Sequence, residues 1–176
     1  MNPNTVYKFC PRCAGNLLQE KKNMLRCKKC RFEFYINAIP CNAVLIENEK
    51  GEILLVKRKF EPKKGYWDWP GGFLEPCESL KDSIKREIKE ELGVKIELGE
   101  FVGAYSDTYL FQNINNPVIV LVMTGKINGE IKVSDDAGGY KYFSKKEILK
   151  QKLAFKSMEK GLKDYIEGVC AAKYNT

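Results

Sequence analysis

Residues 72–94 read G-F-L-E-P-C-E-S-L-K-D-S-I-K-R-E-I-K-E-E-L-G-V, a spacing that predicts a short amphipathic helix carrying several carboxylates. The apolar stripe consists of Leu80, Ile84, Ile88 and Leu92, and the opposite face of Lys81, Asp82, Lys85 and Lys89. Glu87, Glu90 and Glu91 share one edge, because helical residues three and four apart lie side by side. Glu91 falls inside the apolar arc, where an unpaired carboxylate is costly to bury. The pattern therefore favours a divalent metal at this edge.

A motif as short as E-x-x-E-E is, by itself, most often the solvated end of an acidic helix. The whole stretch, however, fits G-x5-E-x7-R-E-U-x-E-E-x-G-U at every specified position, where U is a bulky aliphatic residue. It resembles the box that defines the Nudix hydrolases. The matched positions are Gly72, Glu78, Arg86, Glu87, Ile88, Glu90, Glu91, Gly93 and Val94.

The composition is that of a globular protein. The 176 residues are 44% hydrophobic and 11% aromatic, which permits one medium domain plus a small module. The longest apolar run, residues 117–124, is shorter than the roughly 20 residues of a membrane span. Residues 1–9 lack the apolar core of a signal peptide. We therefore expect a cytoplasmic protein that does not engage a membrane.

The cysteines predict a second metal site. The sequence has no histidine, which excludes Ser-His-Asp and Cys-His nucleophiles and His-ligated metals. Cys10, Cys13, Cys27 and Cys30 form C-P-R-C and C-K-K-C, separated by thirteen residues. Two disulfides are the alternative, but a chain without export signals resides where thiols stay reduced. The spacing predicts structural Zn²⁺ in a ribbon of three short strands at 16–20, 24–27 and 31–35.

Positive charge is concentrated in this ribbon. Residues 1–35 contain eight Lys or Arg and two Glu, which account for six of the net +7. Four thiolates on one Zn²⁺ remove two of those charges, and the remaining surface can hold a polyanion weakly. Because no recognised nucleic-acid-binding motif accompanies the charge, we interpret the ribbon as structural or as a homodimer contact, and do not expect nucleic acid as a partner.

The pattern changes to a mixed α/β domain from residue 36. Residues 39–46 and 53–57 are rich in β-formers and predict a hairpin. Further strands are predicted at 95–105, 118–124, 129–133 and 140–143, with an aromatic loop at 106–117. Ser157 is predicted to cap a last amphipathic helix.

The resemblance covers nearly the whole chain and is to the zinc-ribbon type of Nudix hydrolase, typified by NADH pyrophosphatases. It extends through F-C-P-R-C, F-Y-I-N-A-I-P-C, L-L-V-K-R and W-P-G-G-F-L-E-P. It implies an α/β/α sandwich with a mixed sheet at 37–176, preceded by a zinc ribbon at 1–36. The implied reaction is metal-dependent cleavage of the pyrophosphate bond in a nucleoside diphosphate linked to another moiety, such as NAD(H) or ADP-ribose.

The resemblance also implies roles for single residues. Glu87, Glu90 and Glu91 become ligands of Mg²⁺ or Mn²⁺, with Glu87 a candidate general base. These ions are favoured over zinc there because the donors are hard oxygens. Arg86 and Glu78 orient the ligands, and the backbone of Gly71 or Gly72 completes the set.

A further acid usually lies in a loop before a late aromatic pair. Tyr142 and Phe143 occupy the place of that pair, which makes Asp136 the matching catalytic and metal-binding acid and Asp135 its substitute. Arg58, in a basic run that is otherwise read as solvated surface, is expected to bind substrate phosphate. The expected stacking wall for a base consists of Tyr105, Tyr109, Phe111, Trp67 and Trp69, although these aromatics fit a core equally well.

Two departures from the family pattern limit the transfer. NADH pyrophosphatases carry S-Q-P-W-P-F-P after the box, whereas residues 103–112 read G-A-Y-S-D-T-Y-L-F-Q, which leaves specificity for NADH open. Relatives commonly have glycine where Cys77 stands, so a positive φ there would strain this residue. Its thiol is then either a point of oxidation or a passive small side chain.

Three alternatives stay open at this point. The chain could hydrolyse a nucleoside triphosphate or an RNA 5′ end, where the basic ribbon would help. It could instead bind nucleotides on a Nudix scaffold without turnover, or serve as a zinc-ribbon nucleic-acid adaptor. The intact set of box glutamates disfavours binding without turnover.

Overall fold

The computed structural model describes residues 1–133 and 137–169, which form two compact units. The first unit comprises Met1–Ile39 and Thr108–Val118, and the second comprises Pro40–Asp107 and the chain from Ile119 onward. The elements in chain order are α1 Pro3–Val6, β1 Leu17–Lys21, β2 Met24–Cys27, β3 Glu33–Tyr35, β4 Ile39–Ile46, β5 Ile53–Arg58, β6 Trp67–Asp68, α2 Leu80–Leu92, β7 Lys95–Phe111, β8 Ile114–Asn128, β9 Ala137–Phe143, α3 Lys145–Ile148 and α4 Lys156–Ile166. Within the described residues, no helix is both long enough and apolar enough to cross a bilayer.

The first unit contains the predicted ribbon. Strands β1, β2 and β3 form an antiparallel sheet in that order, and the expected three strands are confirmed with small shifts of their ends. The sheet buries Leu17 and Leu25 together with Cys10 and Cys27 in one small cluster. A core of this size contributes little by itself, so the cysteine cluster has to supply much of the stability.

The second unit is built on two three-stranded sheets, in the orders β4-β8-β7 and β6-β5-β9. The predicted hairpin of β4 with β5 is wrong. One isolated bridge joins Glu47, the residue after β4, to Ile53, whereas β5 pairs along its length with β9. The four consecutive buried residues at the start of β5 explain this, since a strand covered on both faces belongs inside a layered structure rather than in a surface hairpin.

Alternate side chains of the central strands face two different cores. Val44 and Leu54 pack in the cluster that contains the apolar residues of α2, and Leu45 and Leu55 pack in the cluster that contains residues of α4. The strands therefore form a layer between two helices, because successive strand side chains point to opposite faces. This confirms the predicted α/β/α sandwich.

The segment 106–117, predicted as a loop, is part of a long hairpin of β7 and β8, so this prediction is wrong. The strands are joined at Gln112 and Asn113, whose φ angles are 47° and 63°. Positive φ at both central residues is the backbone of a type I′ turn, which matches the twist of paired strands. No glycine marks this turn in the sequence, which is why composition suggested a loop.

Two further predictions near the C-terminal end are wrong. Strand β8 ends at Asn128 and the predicted strand at 129–133 is irregular, starting from Gly129 with a φ of 112°. Helix α4 has Phe155 in the N-cap position, so Ser157 lies inside the helix and does not cap it. The backbone N–H of Ser157 donates instead to the carboxylate of Asp107 at 2.7 Å. An acidic group at a helix N-terminus is favourable, and here it comes from a neighbouring strand.

Helix α2 forms as predicted and is fixed at both ends. The hydroxyl of Ser79 accepts from the Asp82 N–H at 3.2 Å, and Gly93 ends the helix with a φ of 68°. Ile84, Ile88 and Leu92 are each 0% exposed, and each such burial contributes about 1.5–3 kcal/mol. The burial of this stripe sets the rotation of α2 about its axis, and with it the direction of the glutamate edge.

Candidate metal centre and active site

The backbone of residues 70–74 runs beside β4 and reaches the glutamate edge of α2. Asn42 donates its N–H to the carbonyl of Gly72 at 2.8 Å, and Val44 donates to that of Pro70 at 3.1 Å. A Cβ on Gly71 would lie 2.5 Å from the Asn42 carbonyl oxygen, and one on Gly72 would overlap the Glu87 carboxylate. Glycine is therefore required at Gly71, where the φ is 140°, whereas a side chain at Gly72 would displace the Glu87 carboxylate.

Glu91 is held against this backbone segment. Its Oε2 accepts a hydrogen bond from the Gly71 N–H at 3.0 Å. Burial raises the pKa of Glu91 to about 8 in spite of this hydrogen bond, and the nearby carboxylates of Glu87 and Asp68 act in the same direction. Glu91 is thus a carboxyl group that a neighbouring cation would deprotonate.

Arg86 is the hub of the site. Its Nε and Nη2 donate to the two carboxylate oxygens of Glu78 at 2.8 and 2.9 Å. Its Nη1 donates to Glu87 at 2.9 Å and to Glu90 at 3.1 Å. The bidentate Arg86 contact lowers the pKa of Glu78 to about 2. Burial raises the pKa of Glu87, and the Arg86 contact opposes that rise. One guanidinium therefore fixes three carboxylates in orientation and offsets part of their charge.

The three glutamates predicted as metal ligands differ in their surroundings. The Glu87 side chain is 16% exposed, whereas that of Glu90 is 58% exposed. Glu91 is half-buried and bonds to the loop rather than to Arg86. All three offer hard oxygen donors, and Glu87 and Glu91 lie beside the glycine backbone, a donor set that fits Mg²⁺ or Mn²⁺ and not a soft metal.

A cavity of about 170 Å³ lies beside Glu91. It is lined by Val56, Lys57, Arg58, Lys59, Phe60, Asp68, Trp69, Gly71 and Glu91. The lining includes two acidic side chains, Glu91 and Asp68, and burial raises the pKa of Asp68 although Arg58 opposes that rise. It also includes exposed lysines and one exposed aromatic ring. A lining with cationic side chains and a box carboxylate can accept an anionic phosphate beside Glu91.

The structure brings together only part of the predicted substrate-binding set. Arg58 and Trp69 line the cavity, but Trp69 is 5% exposed and Tyr105, also 5% exposed, lies in the core. Tyr109 and Phe111 belong to the first unit. Residues 135 and 136, predicted as acids, lie outside the described part of the chain.

Sequence reasoning missed two residues that line the cavity. Asp68 stands between the tryptophans of W-D-W-P-G-G, and its place directly before the box is a sequence signal for a site residue. Phe60 follows K-R-K, a basic run typical of solvated surface, and no sequence pattern indicates that its ring lines a cavity.

Cys77 occupies a tight turn before α2. The Glu78 N–H donates to the Glu75 carbonyl at 3.1 Å, Pro76 is the second residue of the turn and Cys77, with a φ of 66°, is the third. This is the arrangement of a type II turn, which prefers glycine at the third position. The expected positive φ is present, and the turn places Glu78 where Arg86 can bind it.

The four ribbon cysteines lie with all their Sγ atoms within 4.8 Å of one another. Cys10 and Cys30 have their sulfurs 3.7 Å apart, and Cys13 and Cys27 3.6 Å apart. Sulfurs about 2.3 Å from a tetrahedral zinc are roughly 3.8 Å from one another, whereas a disulfide requires about 2.05 Å. A hydrogen bond from the Cys30 backbone lowers the pKa of Cys27 to about 6. The cluster fits Zn²⁺ and is not disulfide-bonded.

Comparison with known proteins places these features in context. The family model described as NUDIX domain matches residues 40–165. An ADP-ribose pyrophosphatase from Methanocaldococcus jannaschii is 33% identical over 137 residues, which are 77% of this chain and 78% of that protein. The NAD-capped RNA hydrolase NudC of Vibrio parahaemolyticus is 33% identical over 98 residues, 55% of this chain and 37% of that protein, so the chain spans little more than a third of that relative. The crystal structure of a NUDIX hydrolase from Nitrosomonas europaea superposes with a TM-score of 0.73 at 26% identity and covers 91% of this chain and 90% of that one.

Proposed function

This chain belongs to the Nudix family, and from that premise we propose that it hydrolyses the pyrophosphate bond of a nucleoside diphosphate linked to another moiety, with ADP-ribose or NAD(H) as the substrate class. The observation that carries the proposal is the set of box carboxylates on α2, of which Glu87 and Glu90 are held by Arg86 and Glu91 by the Gly71 N–H. The ADP-ribose pyrophosphatase among its relatives, matched over most of both chains, supports this substrate class.

We assign Glu87, Glu90 and Glu91 as the residues that would hold Mg²⁺ or Mn²⁺, with the Gly71 backbone and Asp136 as additional donors. The bound ion would lower the pKa of a water ligand and offset charge on the phosphoryl group. Zn²⁺ at the four cysteines would have a structural role only.

The protein's own groups perform three tasks in this proposal. Arg86 fixes the carboxylate oxygens, with Glu78 as its counterion, so that little reorganisation is needed when substrate binds. An oxygen of Glu87 accepts the proton of the attacking water as general base. Lys57 and Lys59, which line the cavity, provide positive charge for the substrate phosphates.

A second candidate substrate is an RNA with a nucleotide cap. One relative is named as a NAD-capped RNA hydrolase. The ribbon also exposes Lys8, Arg12, Lys28, Lys29 and Arg31, and none of these forms an ion pair among the described residues. Such a surface can attract the backbone of an RNA chain.

A substrate panel tests the proposed reaction. Purified protein with Mg²⁺ would be incubated with ADP-ribose, NADH, ATP and an NAD-capped oligonucleotide, and the products separated by chromatography. We expect AMP and ribose 5-phosphate from ADP-ribose, and a Glu90→Gln variant at least about a hundredfold slower. The matched control is Lys89→Gln, an exposed neighbour outside the carboxylate edge. If no substrate is cleaved, or if Glu90→Gln is as active as the parent protein, the proposal is wrong.

A further inference from the structure

The loop between β5 and β6, residues 59–66, places an aromatic ring in the wall of the cavity. Phe60 is 57% exposed and lines the same cavity as Glu91. Apolar surface is stabilised when it leaves water, so an exposed ring in a cavity lining favours contact with a planar ligand. The proposed function assigns no role to this ring.

The loop is anchored by Arg58. The backbone N–H of Arg58 donates to the Tyr66 carbonyl at 2.9 Å, and its carbonyl accepts from the Gly65 N–H at 2.8 Å. Its side-chain Nε donates to the Pro62 carbonyl at 2.8 Å, and its Nη1 donates to Asp68 at 2.7 Å. Arg58 therefore closes the loop and connects it to Asp68, which also lines the cavity. Phe60 is presented from a preorganised segment, which lowers the entropic cost of binding.

The charge distribution indicates which part of a ligand would meet the ring. Lys59 lies beside Phe60, with its Nζ 5.7 Å from the ring centroid, and Lys57 also lines the cavity. Asp68 and Glu91 line the same cavity. A diphosphate bound there would meet both the lysines and the box carboxylate Glu91. A planar group attached to that diphosphate can then lie against Phe60.

Two of the aromatic residues expected to stack on a base offer little exposed ring surface in the second unit. Trp69 and Tyr105 are each 5% exposed and belong to the core cluster. Among the described residues that line the cavity, Phe60 is the exposed aromatic.

We propose that Phe60 is the stacking platform for the aromatic base of the substrate, and that Arg58 positions it by holding the loop rather than by binding phosphate. This inference rests on the proposed function and narrows its substrate class to diphosphates that carry a planar base. Stacking on one aromatic side chain contributes about 1–3 kcal/mol per base.

Kinetics of Phe60→Ala test the inference. With ADP-ribose we expect KM to rise about tenfold, in line with the loss of one stacked base, and kcat to stay within about twofold. With 5-phosphoribosyl diphosphate, which carries a diphosphate and no base, KM should be unchanged. Phe60→Tyr should restore the parent KM for ADP-ribose. The matched control is Phe101→Ala, since Phe101 is an exposed phenylalanine on β7 that does not line the cavity.

The outcomes separate the inference from the proposed function. If the parent protein cleaves ADP-ribose and Phe60→Ala leaves KM unchanged, the inference is wrong and the function stands. An equal rise in KM for the base-free substrate would show a structural effect and would also overturn the inference. If the parent cleaves neither these compounds nor NADH, the proposed function fails, and the binding of AMP by calorimetry then decides, since Phe60→Ala should weaken it about tenfold.

Discussion

The cysteine cluster of the first unit and the glutamate edge of α2 in the second unit are both candidate metal sites, but their donors are organised differently. The four sulfurs already lie within 4.8 Å of one another. The carboxylates are instead held by protein groups, Glu87 and Glu90 by Arg86 and Glu91 by the Gly71 amide. The first arrangement suits an ion that holds a fold together, and the second suits an ion that exchanges during a reaction.

The largest effect is expected at the cysteine cluster. Cys27→Ser removes a buried thiolate donor from a unit with a small core, and structural zinc in such units supplies about 10–16 kcal/mol. We expect loss of the bound zinc equivalent, measured by elemental analysis, and loss of ribbon structure, measured by NMR. Cys77→Ser is the matched control, because its exposed thiol lies outside the cluster. A Cys27→Ser protein that keeps one equivalent of zinc would contradict the assignment of the cysteine cluster as a structural zinc site.

The next largest effect is expected at the glutamate edge, and on rate rather than on folding. Glu91→Gln keeps the hydrogen bond from Gly71 but removes the charge, and we expect kcat/KM to fall about a thousandfold with the fold intact. Steady-state kinetics with ADP-ribose and circular dichroism measure both properties. Glu100→Gln, an exposed glutamate on β7, should be unaffected. Unfolding of Glu91→Gln would indicate that the edge, like the cysteine cluster, is structural.

Arg86→Lys tests whether the orientation of the carboxylates matters. An ammonium cannot bind Glu78 in a bidentate manner while also holding Glu87 and Glu90, so the ligands lose their alignment. We expect a loss of about 10–100-fold in kcat/KM and a higher Mg²⁺ requirement, measured by titration of the rate with Mg²⁺. Lys85→Arg on the exposed face is the control. Parent-level activity in Arg86→Lys would show that activity does not depend on the contacts of Arg86 with these carboxylates.

The pH dependence of stability, in protein that holds zinc but no Mg²⁺ or Mn²⁺, distinguishes the two sites further. Glu91 titrates at about 8 in the folded protein, and a glutamate in an unfolded chain titrates at about 4.3. The raised pKa means that the folded state retains the proton between these values. The stability that Glu91 contributes is therefore complete below about pH 4 and is lost as pH rises toward 8.

Thermal unfolding of the zinc-loaded protein in buffer without Mg²⁺ or Mn²⁺ measures this effect. We expect the parent Tm to fall from pH 5 to pH 8, and the fall to be smaller in Glu91→Gln. Mg²⁺ at pH 8 should raise the Tm of the parent more than that of the variant, because the ion favours the charged carboxylate. Equal pH profiles for parent and variant would contradict the burial of Glu91.

The smallest effect is expected at the turn that positions Glu78. Cys77 has a φ of 66°. Glycine there removes the backbone strain of the folded state, but it also raises the conformational entropy of the unfolded chain, which offsets part of the gain in stability. We expect Cys77→Gly to raise the free energy of unfolding by about 0.5 kcal/mol, measured with urea. Cys77→Ala retains a Cβ and should give no gain. If Cys77→Gly is destabilised, the turn does not carry strain.

Local patterns predicted helix α2 and the cysteine cluster, because their signals are short in range. The stripe of α2 follows from helical spacing, and the buried residues Ile84, Ile88 and Leu92 confirm it. The two cysteine pairs likewise predict their own cluster, since each C-x-x-C brings two sulfurs together.

The errors arose where long-range pairing decides the structure. The predicted partner of β5 was β4, yet it is β9, more than eighty residues along the chain, and no local pattern encodes that choice. The cap of α4 comes from Asp107, fifty residues before Ser157, and could not be read from the helix start. Burial of Trp69 and Tyr105, and exposure of Phe60, depend on packing between layers that composition does not specify.

Binding of Mn²⁺ to the zinc-loaded protein tests the central claim most directly, and it can be followed by the electron paramagnetic resonance of the free ion. We expect saturable binding to the parent protein, strengthened by AMP. Glu87→Gln and Glu91→Gln should each weaken it at least about tenfold, and Glu100→Gln should leave it unchanged. Equal Mn²⁺ affinity in the parent and in both glutamine variants would contradict the assignment of the α2 edge as a metal site.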